Sequence, residues 1–367
     1  MLDNFKFTSN TLAGCANQHY FISDGTKRTS RAYFKIFAGG EYTYSISFSG
    51  VLDSSYRRIS FHDEPCSGWT ICRAKVGRLS SFPSDISPES ITLGEVLDPE
   101  WISELSFSGE RGIVAPSGAF SADPIKLSFS EGEYLCLEIE YFGEKIPCHP
   151  EVAIPVYTMA ENGLWEFSKN MPLPQMIGCD RQTSGNIAYL GDSITQGADM
   201  PTNCYGHWMA RLAERLPRGL SHWNLGIGLG KTTDVSAFGA WYQKALCADT
   251  VFVCYGVNDI NADFSAEYIF DQLSSIVKSL KSLGKRVIVQ HVPPFTYTEE
   301  RRATWYKINE YIREKMAALC DLVFDQNAIL SDEAEPSYPK YGGHPSEEGC
   351  ELWANALYEK VKGFFEF

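Results

Sequence analysis

The stretch Ile-Ala-Tyr-Leu-Gly-Asp-Ser-Ile-Thr-Gln-Gly at residues 187–197 changes from a short apolar run into a polar turn. Residues 187–190 have the composition of a buried strand, and Gly191 allows the chain to leave that strand sharply. Ser193 then stands at the carboxyl end of the strand and at the start of the next helix, where open α/β sheets bind their ligands. Ser193 is therefore the first candidate nucleophile.

The sequence before this stretch has an all-β pattern. Short alternating runs separated by turn residues, such as 42–49, 125–130 and 134–141, predict antiparallel strands. In 134–141, Leu135, Leu137 and Ile139 fall on one face and Glu138 and Glu140 on the other, which is typical of a half-buried strand. We predict an all-β sandwich of jelly-roll type. The stretch 171–178, with two prolines, is interpreted as a connector, so that the predicted domains are 1–178 and 179–367.

After the connector, strands and helices alternate. The predicted strands are 187–190, 222–225, 251–255, 286–291 and 322–324, and the predicted helices are 205–215, 235–246, 266–283, 299–319 and 347–361. Such alternation predicts a parallel sheet covered by helices on both faces, a three-layer α/β/α domain.

The composition limits the class of protein. With 367 residues, 44% of them hydrophobic, the chain can build sizeable cores, and its net charge of −14 opposes binding to nucleic acid, which needs clustered cations. No apolar stretch approaches the roughly 18 residues of a bilayer span. The 11 cysteines show no repeating spacing, which favours free thiols in a reducing compartment over disulfides or zinc. We expect a soluble, cytoplasmic protein with no metal, cofactor, membrane or nucleic-acid partner, and the oligomeric state is left open.

Four blocks of chemically useful residues follow predicted strand ends or precede the last helix. They are Gly-Asp-Ser at 191–193, Asn-Leu-Gly-Ile-Gly-Leu-Gly at 224–230, Gly-Val-Asn-Asp at 256–259 and Gly-Gly-His-Pro at 342–345. Each block alone is better explained as a helix cap, a turn or a loop. In this order and spacing the four together resemble the SGNH (GDSL-type) hydrolase family over residues 185–365.

The resemblance implies a flavodoxin-like fold and an acyl hydrolase. Ser193 would be the nucleophile and His344 its base, and the oxyanion donors would be the Ser193 N–H, a glycine N–H of 224–230 and the Asn258 amide. These roles are chemically reasonable, because a serine hydroxyl needs a base to take its proton and the oxyanion needs donors already aimed at it. Asp192 is expected to brace the loop and, with Gly228, to border the substrate.

The chain departs from the family pattern at two places. The family's usual acid, three positions before the histidine, is here Tyr341, and a neutral phenol cannot stabilise an imidazolium as a carboxylate does. A carboxylate from 332–335, a backbone carbonyl that leaves a Ser–His dyad, or a loss of activity are the alternatives. In the second block one residue is inserted, so that matching forward points to Gly228 or Leu229 and matching backward to Gly230, which we prefer.

The predicted function is a serine esterase that removes acetyl groups from carbohydrate or oligosaccharide esters, because a β-domain joined to such a hydrolase resembles the layout of carbohydrate esterases. Two alternatives stay open. One is a lipase or thioesterase type of acyl hydrolase, and the other is a non-catalytic carbohydrate-binding protein that retains the fold.

Overall fold

The computed structural model describes residues 7–14, 17–52, 64–84, 86–91, 97–332 and 335–366. These residues form two compact units. The described residues up to 182 group with 201–204 in the first unit, and residues 183–200 group with 205–366 in the second.

Short, antiparallel strands build the amino-terminal unit. They are β1 (Thr8–Ser9), β2 (His19–Ile22), β3 (Arg28–Lys35), β4 (Gly40–Ser49), β5 (Val51–Leu52), β6 (Glu64–Pro65), β7 (Thr70–Leu79), β8 (Glu100–Leu105), β9 (Ile113–Val114), β10 (Ala119–Ser121), β11 (Ile125–Phe129), β12 (Tyr134–Phe142), β13 (Lys145–Cys148), β14 (Val156–Met159), β15 (Trp165–Phe167) and β16 (Met176–Cys179). One larger sheet has the order β1-β16-β4-β10, with β11 also on β4, and the other has the order β15-β14-β3-β12-β7-β8, with β9 on β7. The architecture is that of a β-sandwich, as predicted.

In β12, one face of the strand is buried as the alternating sequence predicts. The opposite face, predicted to meet solvent, is largely buried as well. Leu135, Leu137 and Ile139 are fully buried. On the opposite face Cys136 is also buried, and Glu138 is largely buried because two cations hold it. This second face is covered by an aromatic cluster, which the alternation of β12 alone does not reveal. Its buried aromatic members are Tyr33, Phe82, Tyr134, Tyr157 and Trp165.

The predicted connector contains a strand. Residues 176–179 form β16, which is buried and pairs with β4 through Met176↔Ser47 and Cys179↔Tyr44. The two prolines in the stretch, Pro172 and Pro174, precede β16 and leave its backbone donors free for pairing. This part of the stretch therefore belongs to the first sheet.

The carboxyl-terminal unit alternates strands and helices. Its elements are β17 (Gly185–Gly191), α1 (Ser193–Gln196), α2 (Trp208–Arg215), β18 (Leu220–Gly226), α3 (Thr232–Ser236), α4 (Ala240–Ala245), β19 (Thr250–Cys254), α5 (Val257–Asn261), α6 (Ala266–Ser282), β20 (Arg286–Gln290), α7 (Glu299–Lys315), β21 (Leu322–Phe324), α8 (Asn327–Leu330), β22 (Ser331–Asp332), β23 (Glu335–Pro336), β24 (Pro339–Tyr341), β25 (His344–Pro345) and α9 (Glu347–Val361). The sheet is parallel, in the order β18-β17-β19-β20-β21. This is the 2-1-3-4-5 order of flavodoxin-like folds, and it confirms the predicted fold class.

Local sequence explains most of these elements. The central strand β19 is buried along its whole length, as its continuous apolar run requires. Helix α6 is capped by the Ser265 hydroxyl and buries Ile269, Leu273, Ile276 and Leu280, which recur at helical spacing. The predicted helix 235–246 is wrong as a single element: α3 ends at Ser236 and α4 begins at Ala240, because Phe238 takes a left-handed φ of 59° between them.

Two further expectations from the sequence concern membrane-spanning segments and cysteines. Within the described residues, no helix is both long enough and apolar enough to cross a bilayer. The cysteines that the structure describes are free thiols, and five of them, Cys66, Cys136, Cys148, Cys179 and Cys254, are buried residues with a thiol pKa raised by burial.

Candidate active site

The ends of three neighbouring strands meet at the carboxyl edge of the parallel sheet. Gly191 of β17 lies in register with Gly226 of β18 on one side and with Cys254 of β19 on the other. Both glycines are required by close approach: a Cβ on Gly191 would lie 2.0 Å from Thr195 Oγ1, and one on Gly226 would lie 2.1 Å from the Gln196 nitrogen. Helix α1 therefore packs directly onto the strand ends, and Ser193, its first residue, is placed at this edge.

Ser193 begins α1 but does not cap it. Asp192 is the N-cap residue, and its Oδ1 accepts a hydrogen bond of 3.0 Å from the Ile194 N–H. The structural explanation of Ser193 as a capping serine therefore does not hold here, since the neighbouring residue performs that role. The Ser193 hydroxyl instead lies 2.8 Å from Nε2 of His344, 151 residues further along the chain.

The His344 ring is held in one tautomer by its own loop. Its Nδ1 lies 2.8 Å from the backbone carbonyl of Tyr341. A carbonyl can only accept a hydrogen bond, so Nδ1 carries the proton and Nε2 is left as the acceptor for the Ser193 hydroxyl. The arrangement is that of a Ser–His dyad with a carbonyl in place of the triad acid.

The two carboxylates that the structure describes in the loop 332–335 do not take the place of the missing acid. Asp332 is exposed, and Glu335 forms an ion pair with Arg302. Residues 333 and 334 lie outside the described residues. The carboxylate that does come close to His344 is Asp199, whose Oδ2 lies 3.8 Å from Nδ1. Asp199 belongs to none of the four sequence blocks, so no motif identifies it. In the sequence, its one link to the site is that it follows Ser193 by six positions.

The loop that carries His344 packs against Phe295. Gly342 and Gly343 have φ values of 56° and 103°, and a Cβ on Gly343 would lie 2.7 Å from the Phe295 Cα. The Phe295 ring meets the imidazole edge-on, with 5.3 Å between the ring centroids. The two glycines thus allow a tight turn between β24 and β25 that fixes the imidazole. The sequence pattern does not identify Phe295, since a phenylalanine after two prolines has no motif of its own.

The predicted oxyanion donors lie on segments that are bonded to one another. The Asn258 side-chain amide donates to the Gly230 carbonyl at 3.1 Å, which uses one of its two N–H groups. The Gly230 N–H donates to the Ile227 carbonyl at 3.0 Å, and the Gly228 N–H donates to Gln196 Oε1 at 2.5 Å. In the described parts of the chain, the N–H groups of Ser193 and Leu229 make no hydrogen bond. Leu229 has a left-handed φ of 59°, and its side chain is exposed.

Two buried carboxylates lie beneath these loops. Asp192 is only 2% exposed, and Asp259 accepts hydrogen bonds from both the backbone N–H and the hydroxyl of Thr232. Burial raises the pKa of Asp192 to about 7, and the nearby charge of Asp259 adds to that shift. Burial also raises the pKa of Asp259 to about 6, against the opposing effect of the Thr232 hydrogen bonds.

The parallel sheet in flavodoxin order, with a serine–histidine pair at its carboxyl edge, defines a hydrolase domain of the SGNH class. Residues 189–352 match the family described as GDSL-like Lipase/Acylhydrolase, and this part of the chain is a GDSL-like lipase/acylhydrolase domain. The match supports an ester-hydrolysing enzyme. No curated protein matches the chain significantly.

Solved structures similar to the chain cover about half of it. A member of the lipolytic protein G-D-S-L family from Veillonella parvula is 21% identical, with a TM-score of 0.41, over 47% of this chain and 96% of that one. A GDSL-like lipase from Bacteroides thetaiotaomicron is 17% identical, with a TM-score of 0.40, over 49% and 88%. Axe2, an acetylxylan esterase from Geobacillus stearothermophilus, is 18% identical, with a TM-score of 0.41, over 49% and 95%.

Proposed function

We propose that the carboxyl-terminal domain is a serine esterase that removes acetyl groups from carbohydrate esters through an acyl-enzyme. The contact of 2.8 Å between Ser193 Oγ and His344 Nε2 is the observation that carries the proposal. Because the Tyr341 carbonyl holds the proton on Nδ1, the free electron pair of Nε2 faces the hydroxyl whose proton it must take.

The reaction proceeds in two steps. Ser193 Oγ attacks the ester carbonyl while His344 takes its proton, and the tetrahedral intermediate collapses as His344 returns that proton to the leaving alcohol. Water then attacks the acyl-enzyme with His344 again as base, which releases the acid and restores the Ser193 hydroxyl.

Three N–H donors stabilise the oxyanion in this proposal. They are the Ser193 N–H, the second N–H of the Asn258 amide and the N–H of Leu229. Leu229 replaces Gly230 in this role because the Gly230 N–H already closes a turn onto Ile227. A donor that needs no reorganisation when charge develops stabilises the transition state most effectively.

The choice of an acetylated sugar as substrate is supported by the surface beside His344. The Tyr341 side chain is 69% exposed, and its ring lies nearly parallel to the imidazole, with 6.3 Å between the centroids. An exposed aromatic face next to the base can stack on the apolar face of a sugar ring and hold its ester at the dyad. We also propose that the protein is cytoplasmic and that its partner is a small-molecule or oligosaccharide ester substrate.

Hydrolysis of 4-nitrophenyl acetate tests the catalytic part. Wild type is expected to turn over, and Ser193→Ala and His344→Ala to lose that activity. Ser184→Ala is the matched control, since Ser184 is exposed and precedes β17 at the opposite end of the strand from Ser193. Equal rates for wild type and Ser193→Ala would overturn the esterase proposal and favour a binding protein that retains the fold.

Acetate release from acetylated oligosaccharides tests the substrate. We expect kcat/KM for an acetylated oligosaccharide to exceed that for 4-nitrophenyl esters of long fatty acids. The reverse order would show a lipase or thioesterase type of hydrolase.

A further inference from the structure

Asp199 places its carboxylate close to the Nδ1 side of His344. Its Oδ2 lies 3.8 Å from Nδ1, too far for a hydrogen bond but within ion-pair distance. The imidazole is 12% exposed and the Asp199 carboxylate 43% exposed. In the described ranges no lysine or arginine forms an ion pair with Asp199, so its negative charge is not neutralised by a neighbouring cation.

The dyad needs such a charge. The Tyr341 carbonyl selects the tautomer of His344, but as a neutral dipole it offers limited stabilisation to the full positive charge that forms when the imidazole takes the Ser193 proton. We infer that Asp199 is a positioning residue whose carboxylate stabilises the His344 imidazolium. It takes over this role from the family's usual acid, whose position in this sequence is occupied by Tyr341. The inference rests on the proposed esterase function and assigns two separate roles within it. The Tyr341 carbonyl orients the His344 ring, and Asp199 supplies the negative charge.

The segment that carries Asp199 is tied to the nucleophile. The N–H groups of Gly197 and Ala198 both donate to the Ser193 carbonyl at 3.0 Å, and the Met200 N–H donates to the Gly197 carbonyl at 3.3 Å. Asp199 itself takes a left-handed φ of 62°, which aspartate and asparagine tolerate better than most residues. Ser193 and Asp199 therefore lie on one short turn. The His344 imidazole faces both of them, with Nε2 toward the Ser193 hydroxyl and Nδ1 toward the Asp199 carboxylate.

This geometry sets the size of the expected effect. A carboxylate hydrogen-bonded to the histidine contributes about 10⁴-fold to turnover in the serine proteases. Asp199 interacts through space and remains half exposed, so we expect a contribution of roughly 10- to 100-fold in kcat. Because the imidazolium exists only along the reaction, KM is expected to stay unchanged.

Steady-state kinetics of Asp199→Asn with 4-nitrophenyl acetate test the inference. Asparagine keeps the shape and accepts the same φ, so only the charge is removed. Asp263→Asn is the matched control, because Asp263 has a similar φ of 60° and is exposed but pairs with Arg301 instead of His344. We expect the fall in kcat for Asp199→Asn alone, with thermal unfolding of both variants like that of wild type.

Two further measurements separate charge from structure. Asp199→Glu restores the charge and should recover part of the lost kcat. Raising the ionic strength from about 0.01 M to about 1 M shortens the screening length from about 30 Å to about 3 Å, so the kcat of wild type on this neutral ester should fall toward that of Asp199→Asn, which should itself stay constant.

An unchanged kcat in a well-folded Asp199→Asn variant would overturn the inference while leaving the esterase intact. So would a loss that Asp199→Glu does not relieve at all and that wild type does not approach at high salt, because that pattern marks a purely structural role. Failure of the proposed function looks different, since wild type and Ser193→Ala would then have equal rates.

Discussion

The backbone carbonyl of Tyr341 lies 2.8 Å from Nδ1 of His344, at the sequence position where an SGNH hydrolase normally carries its acid. The contact comes from the main chain, so it survives a change of the Tyr341 side chain. The exposed ring of Tyr341 is thereby free for another purpose, which we have proposed to be contact with a sugar.

Substitution at Tyr341 separates these two roles. Tyr341→Ala keeps the carbonyl, and we therefore expect kcat on 4-nitrophenyl acetate to change little. On an acetylated oligosaccharide KM should rise about 5- to 50-fold, because a stacking contact contributes on the order of 1–2 kcal/mol. Tyr341→Phe, which keeps the ring, should behave like wild type on both. A loss of kcat in Tyr341→Phe as large as that in His344→Ala would show that the phenol itself takes part in proton transfer.

Substitution of Asn258 is expected to remove most of the activity. Removing one oxyanion donor costs about 10²–10³-fold in kcat, and Asn258→Ala also removes the hydrogen bond to the Gly230 carbonyl. The rate of 4-nitrophenyl acetate hydrolysis measures the loss. Asn261→Ala, at the last residue of the same helix, is the control and should retain full activity. Similar rates for the two variants would contradict the role of Asn258 as a donor.

The turn at Gly343 is predicted to be intolerant of a side chain. A Cβ there would meet the Phe295 Cα at 2.7 Å, so Gly343→Ala must displace the loop that presents His344. We expect a loss of about 2–4 kcal/mol in the free energy of unfolding, together with a large loss of kcat.

Gly284→Ala is the matched control for this prediction. Gly284 also has a positive φ, of 73°, but nothing lies within 4 Å of its added Cβ. It should carry only the backbone penalty of about 1 kcal/mol, with kcat unchanged. Equal unfolding curves for the two variants would show that Phe295 does not constrain the turn.

The buried carboxyl of Asp192 predicts a pH dependence of stability. Its pKa is about 7 in the folded protein, whereas an unfolded aspartate titrates near about 4. Between these values the folded state holds a proton that the unfolded chain has released, so the free energy of unfolding falls as the pH rises. The contribution is fully present below the unfolded pKa and is lost once the pH passes the folded pKa.

Asp192→Asn removes this titration and keeps an oxygen that can accept from the Ile194 N–H. Melting temperatures should be similar for variant and wild type near about pH 4, and the variant should be more stable near about pH 8 by about 1–4 kcal/mol. Asp271→Asn, on the exposed surface of α6, is the control. A difference between Asp192→Asn and wild type that does not change with pH would contradict the prediction.

The sequence was most informative where structure depends on local burial. The apolar run of β19 and the helical spacing in α6 predict their elements directly, because each pattern states which side chains must leave water. The order of the blocks, through their resemblance to the SGNH family, led to the expectation that Ser193 and His344 meet. Local pattern was misleading at Phe238, where a left-handed residue interrupts an otherwise plausible helix.

What could be read from the chain alone is therefore the class of fold, the nucleophile candidate and the absence of an acid at position 341. The partner of His344 Nδ1, the proximity of Asp199 and the engagement of the Gly230 N–H became visible only in three dimensions. The physical reason is that every residue carries a carbonyl and nearly every residue an N–H. No side-chain pattern marks the one that will be bonded. The Tyr341 and Ile227 carbonyls are selected by the turns that they close onto residues three positions later, whereas the contact of Asp199 with His344 depends on the packing of segments more than a hundred residues apart.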